Sequence, residues 1–248
     1  MQSSSKYNLS AECATIFFTI SFWRVTMPLQ QLPRWIQFAM FILACNAGMV
    51  NVLGLLMVLH QSISHMTGNV SLLAIHLWQH DFSQVFFLVS VLISFVLGAF
   101  YSGYILGNAQ FSLSQRYGIP LVLVAIFIVL CWLFTPYFPR YALLWATVAM
   151  GMQNAMVSHY QGAIIRTTHL SGVLTDLGLA LGYFLRGLQV EKRRVILHLA
   201  ILLGFLFGGL IATISFHYFN YHAFLIPALC SAVLSLIYWL HYWKQNSA

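Results

Sequence analysis

The chain has 248 residues, 60% of them hydrophobic and 6% charged, with mean hydropathy +0.83 and net charge +7. Soluble domains carry roughly 25% charged residues, so a fold surrounded by water could not hide this much apolar surface. The eleven basic residues lie almost entirely between apolar runs, which reads as membrane topology and argues against nucleic-acid binding. In lipid the backbone must bond to itself, and the long continuous runs point to helices over a barrel.

Residues 1–34 are the least membrane-like stretch. Their apolar run, 11–23, is too short to span, and Arg24, Pro28 and Pro33 follow it. An interfacial helix, a poorly supported signal peptide, or a start at Met27 are the readings open there. A first span is expected over 36–59, with Trp35 at its edge and Asn46 and Asn51 inside. A short run, 66–79, follows. It is headed by His65-Met66-Thr67-Gly68-Asn69 and ends before His80-Asp81. At about 21 Å as a helix it falls short of roughly 30 Å of hydrocarbon.

Spans are expected next over 84–107, with Gly98, Gly103 and Gly107, and over 119–135, entered at Pro120. A span over 141–160 carries Gln153 and Asn154. A short segment, 170–188, is bounded by Asp176 and Arg186. Spans over 195–216, with Gly204, Gly208 and Gly209, and over 222–243, with Trp239, Tyr242 and Trp243, complete the chain. Small residues at these spacings suit close helix packing.

The chain repeats itself. Gly48-Met49-Val50-Asn51 aligns with Gly151-Met152-Gln153-Asn154, His65-Met66-Thr67-Gly68 with His169-Leu170-Ser171-Gly172, and Gly98 with Gly208. The expected domains are an extension, 1–34, and two membrane repeats, 35–139 and 140–248, forming one membrane domain. If the short segments are re-entrant or half-helices, six transmembrane helices remain and the repeats are inverted. If they cross, there are eight spans and parallel repeats. With the N-terminus inside, six spans leave only Arg140 outside, whereas eight leave Arg116 and Arg166 there, which favours six. Both versions are all-α integral membrane folds with both termini cytoplasmic.

Met66-Thr67-Gly68-Asn69, together with Arg166-Thr167-Thr168, Ser171-Gly172 and Thr175-Asp176-Leu177-Gly178, resembles the YoaK family of bacterial membrane proteins, over roughly residues 35–243. The resemblance implies a multi-pass protein of the bacterial inner membrane. It implies no substrate, because that family carries a label of unknown function.

Asp176 is the sharpest single candidate, since an ionised carboxylate in an apolar segment is costly. His169, Gly172 and Asp176 share a helix face, and Arg166 lies one turn earlier. Asp176 reads as a proton or cation site with Arg166 as partner or gate, or as half of a structural polar pair. Thr67, Gly68, Asn69, Ser171 and Gly172 at the heads of short helices would expose backbone N–H groups at a positive dipole end, or would serve only as caps and packing surfaces. Asn51 and Asn154 suit a shared polar cluster or plain interhelical bonding.

His65, His76 and His80, with Asn69, fall roughly on one face, but no carboxylate except Asp81 is in register, so a metal site is disfavoured. Cys13, Cys45, Cys131 and Cys230 read as small buried hydrophobes. Four carboxylates supply acid–base catalysis poorly, and no nucleophile or nucleotide motif is present. The expectation is a non-enzymatic small permease without cofactor. Its unknown small molecule or ion would bind at the repeat interface, on Asn51, Thr67, Gly68, Asn69, Asn154, Arg166, Thr167, His169, Ser171, Gly172, Thr175 and Asp176. A scaffold or assembly protein is the alternative, and a lipid-active enzyme using His169 and Asp176 is the weaker third. Expected partners are the bilayer and, through the glycine-lined spans, a second copy.

Overall fold

The computed structural model describes residues 34–57, 62–107, 115–158 and 166–246. The readings for residues 1–33, Met27 included, lie outside the described residues. Every regular element described is helical. The long helices are α1 (Arg34–Leu56), α3 (Phe82–Leu106), α4 (Gln115–Phe134), α5 (Pro139–Ser158), α7 (Lys192–Phe219) and α8 (Leu225–Asn246). The short ones are α2 (Met66–Trp78) and α6 (Leu170–Leu185), and a 3-10 turn, Asn220–Phe224, precedes α8. These bounds fall within a few residues of those expected from sequence.

Four stretches are long and apolar enough to cross a membrane: Gln37–Leu56, Phe82–Leu106, Tyr117–Phe134 and Lys192–Lys244, the last covering both α7 and α8. Helix α5 is not among them, although a span was expected there. Its Gln153 and Asn154 lower its hydropathy, yet both are buried, as are most of its residues. A helix shielded by other helices need not be apolar all round, because its polar groups bond to protein and not to lipid. The two short helices measure about 20 and 24 Å at 1.5 Å per residue, less than the hydrocarbon thickness.

The main packing is exchanged between the halves of the chain. Helix α1 packs on α7, and α5 packs on α3. Both crossings are made by glycine against backbone. A Cβ at Gly48 would overlap the carbonyl of Phe205, and one at Gly151 the carbonyl of Phe95. A Cβ at Gly208 would overlap the carbonyl of Cys45, and one at Gly98 that of Val148. The glycines aligned from sequence therefore occupy matching positions in matching contacts. Backbones this close gain dispersion along the whole crossing, which is how helices associate where lipid competes for every apolar side chain.

Contacts near the helix ends fix their senses. Arg140, at the start of α5, bonds the Ser83 carbonyl (3.0 Å) and Gln84 Oε1 (3.1 Å) at the start of α3, so these two helices run the same way. Phe41 faces Gly204 and Val52 faces Gly209, so α1 and α7 also run together. Helices α4 and α8 run oppositely, since Gly118 meets Trp239 while Trp132 Nε1 donates to His222 Nδ1 (3.0 Å). Phe127 stacks on Trp145 across the α4–α5 hairpin. Helix α8 doubles back along α1, because Val52 meets Gly209 while Asn46 reaches Ser231. The six long helices consequently alternate in sense along the chain. Helices α1, α4 and α7 start at one end of the bundle, and α3, α5 and α8 start at the other.

Each short helix forms a hairpin with the long helix after it, α2 with α3 and α6 with α7, and packs on no other of the described elements. Since α3 and α7 run oppositely, the two hairpin turns lie at opposite ends of the bundle. Charge divides between those ends. Arg34, Arg116, Arg186, Lys192, Arg193, Arg194 and Lys244 belong to the end where α7 starts, Arg166 precedes the inner start of α6, and among the described basic residues only Arg140 belongs to the other end.

Candidate functional site

The core between α1 and α5 is polar. Asn46, Asn51, Gln153, Asn154 and Thr167 are all buried, with Ser231 beside them on α8. At the centre Asn46 Nδ2 donates to Gln153 Oε1 and to Ser231 Oγ, both at 3.0 Å. Gln153 Nε2 donates to the Leu43 carbonyl (2.8 Å) and to Thr167 Oγ1 (3.3 Å). Thr167 Oγ1 donates to Asn154 Oδ1 (3.3 Å), and Asn154 Nδ2 donates to Thr168 Oγ1 (2.8 Å). The chain of bonds thus runs from α8 through α1 and α5 to the residues leading into α6. Asn46 Oδ1 is buried and has no partner. An unpaired acceptor away from water costs about 1–3 kcal/mol.

Asn51 does for α2 what Asn154 does for α6. Its Oδ1 accepts from Ser64 N (3.1 Å), Ser64 Oγ (2.9 Å) and Ser62 Oγ (2.6 Å). Ser62 Oγ in turn accepts from His65 N (3.0 Å), and Asn69 Nδ2 donates to the Ser62 carbonyl (3.1 Å). The segment before each short helix is thereby folded back to the level of an asparagine inside the preceding long helix.

The two motifs build the same local turn. His65 and His169 are the N-cap residues, at φ −93°, ψ 73° and φ −90°, ψ 61°. A Cβ at Gly68 or Gly172 would run into the ring of its own cap histidine. Ser71 Oγ donates to the Thr67 carbonyl and Thr175 Oγ1 to the Ser171 carbonyl. The capping expected of Thr67 and Ser171 is not what forms. Each is the second residue of its helix and is exposed, and the cap histidines make no side-chain cap bond.

Asp176 has partners other than Arg166. Its Oδ2 receives Arg194 Nη2 at 3.1 Å and lies 3.4 Å from His198 Nε2, both on α7. His198 is 3% exposed, and Arg194 Nε is buried without a partner. Arg166 and His169 are exposed. The candidate residues therefore divide into three groups. Asn51 and Asn69 surround Ser62–Ser64 near the α2 end. Asn154 and Thr167 join Asn46, Gln153 and Ser231 in the central seam. Asp176 belongs to the α6–α7 hairpin. Thr67 and Asn69 do not face Arg166 and Asp176, because α2 and α6 do not touch.

Sequence reasoning missed Asn46, Gln153, Ser231, Arg194 and His198 as site residues. The first two were visible as polar breaks in spans. His198, four residues after Arg194, was the available signal for the third group. Among the described residues, no three His, Cys, Asp or Glu side chains gather as metal ligands.

A family model described as "Protein of unknown function (DUF1275)" matches residues 39–237. No curated protein and no solved structure matches the chain.

Proposed function

We propose, for a chain that belongs to this family of unknown function, that it is a small permease whose path follows the polar seam between α1 and α5. The observation that carries the reading is Asn46. A bundle built only for stability has no use for a buried carbonyl oxygen without a partner at the meeting point of α1, α5 and α8. Two further features support it. The long helices alternate in sense with matched glycine crossings, as inverted repeats of three spans each would, and such repeats characterise carriers that alternate access about a central site. Each half also has a short helix held by an asparagine of its own first span.

In this reading the protein is a carrier and not an enzyme. It has six crossings, and α2 and α6 enter from opposite faces without spanning. It resides in the inner membrane of a bacterium, as resemblance to the YoaK family suggests. The end rich in Arg and Lys faces the cytoplasm with both termini, since basic loops are retained inside. The substrate touches Asn46 and Gln153, with Asn51 and Asn154 holding the segments ahead of the two short helices beside the path.

One observation favours a scaffold instead: most polar groups of the seam are already bonded to one another. Thiol accessibility separates the two. In a cysteine-free background, Asn46→Cys should react with a membrane-impermeant methanethiosulfonate reagent, while Ala146→Cys, in the apolar core, should not. Equal silence at both positions would leave the scaffold. A thermal-shift screen of small metabolites on the purified protein, followed by uptake of any hit into proteoliposomes, then seeks the substrate.

A further inference from the structure

We propose that Asp176 and His198, which meet at Asp176 Oδ2, form a one-proton binding site that controls how tightly α6 is held on α7. Three charged or titratable groups meet on one hairpin. His198 is almost fully enclosed, while Asp176 (27% exposed) and Arg194 (40%) reach water and give a proton its route. The hairpin's packing does not require them. At the aligned positions of the α2–α3 hairpin stand Leu72, Gln84 and Leu88.

With a neutral imidazole, the carboxylate and Arg194 cancel. A proton taken from water onto the imidazole leaves two cations, Arg194 and His198, sharing one carboxylate, and the net charge rises from zero to +1. Among the described residues, no further carboxylate pairs with it. Helix α6 contributes Asp176, and the facing part of α1, Gln37–Ala44, contains no titratable side chain. Among the described elements helix α6 packs on α7 alone, so this contact is what holds it to them. The residues just before α6, Thr167 and Thr168, are bonded to Gln153 and Asn154 of the seam. A proton on the hairpin is thus mechanically connected to the proposed path. That connection rests on the permease reading, whereas the protonation does not.

The test is histidine 15N NMR of the full chain in lipid nanodiscs between pH 5 and 8, with His198→Gln identifying the resonance. The expected result is a His198 imidazole that takes up one proton, with Asp176→Asn weakening its proton binding about tenfold, which is one pH unit. If Asp176→Asn does not fold, Asp176→Glu replaces it, and a displaced midpoint is again expected. A His198 signal that does not titrate, or one indifferent to the residue at 176, overturns the proposal. The reactivity of Asn46→Cys judges the permease reading separately, so either can fail alone.

Discussion

The α2–α3 and α6–α7 hairpins have the same build and different chemistry. Both open on a histidine cap, press a glycine against its ring, and are preceded by residues bonded to an asparagine of the previous long helix. The turn of the first holds Asp81, whose Oδ1 accepts from Gln84 N (3.2 Å) at the start of α3. The second holds Asp176 between Arg194 and His198. The single buried residue of each short helix also differs, Asn69 in α2 and Val173 in α6. Each hairpin brings an Asp near a His, Asp81 to His76 (3.5 Å) and Asp176 to His198 (3.4 Å), but the second adds an arginine, Arg194, and buries its histidine.

Substitutions at matched positions break or sharpen that contrast. The largest effect is expected where backbone meets backbone. Gly98→Leu and Gly208→Leu should each cost about 3 kcal/mol or more, because the opposing carbonyl cannot move aside. Thermal unfolding and monodispersity in detergent measure this, and strongly unequal losses would break the equivalence of the two crossings. Asn51→Ala should cost about 1–3 kcal/mol, since it strands the buried Ser64 amide. Asn154→Ala should cost less, about 1 kcal/mol, because Thr167 also bonds Gln153. The order of those two melting temperatures is the readout. Asp176→Leu should lower stability by only about 1 kcal/mol, as its pair with Arg194 is partly solvated and screened. A much larger loss would make the cluster a structural clamp. Gly68→Ala and Gly172→Ala should stay within about 1 kcal/mol and match each other, because a histidine ring can rotate away.

Much of the architecture was legible because it is periodic or local. Apolar runs gave the helices, and the repeated Gly and Asn positions aligned the halves. Which helix packs on which was not legible. Gly48 and Gly208 announce close approach, but nothing near them says that their partners are Phe205 and Cys45. The site was read in part. Asn51, Asn154 and Asp176 stood out as polar residues in apolar company. Asp176 was assigned to Arg166, one turn upstream of His169, because helical spacing is all a sequence displays. Its actual partners come from the facing helix, where Arg194 looked like a topology signal and His198 lay inside an otherwise clean span. Placing all twelve candidates around one interface assumed that the two motif-led helices meet, and their hairpins lie at opposite ends of the bundle.

The exchange of α1 and α7 has a consequence for synthesis. Phe205 lies 157 positions after Gly48, so α1 enters the bilayer long before its main packing surface exists. At about 5–20 residues per second the wait is roughly ten to thirty seconds. Asn46 lacks Gln153 for the first part of that time and Ser231 for all of it. Helices α3 and α5 are spared much of this, since Phe95 is already in place when Gly151 emerges. The nascent first half is an open clasp until the second half closes it.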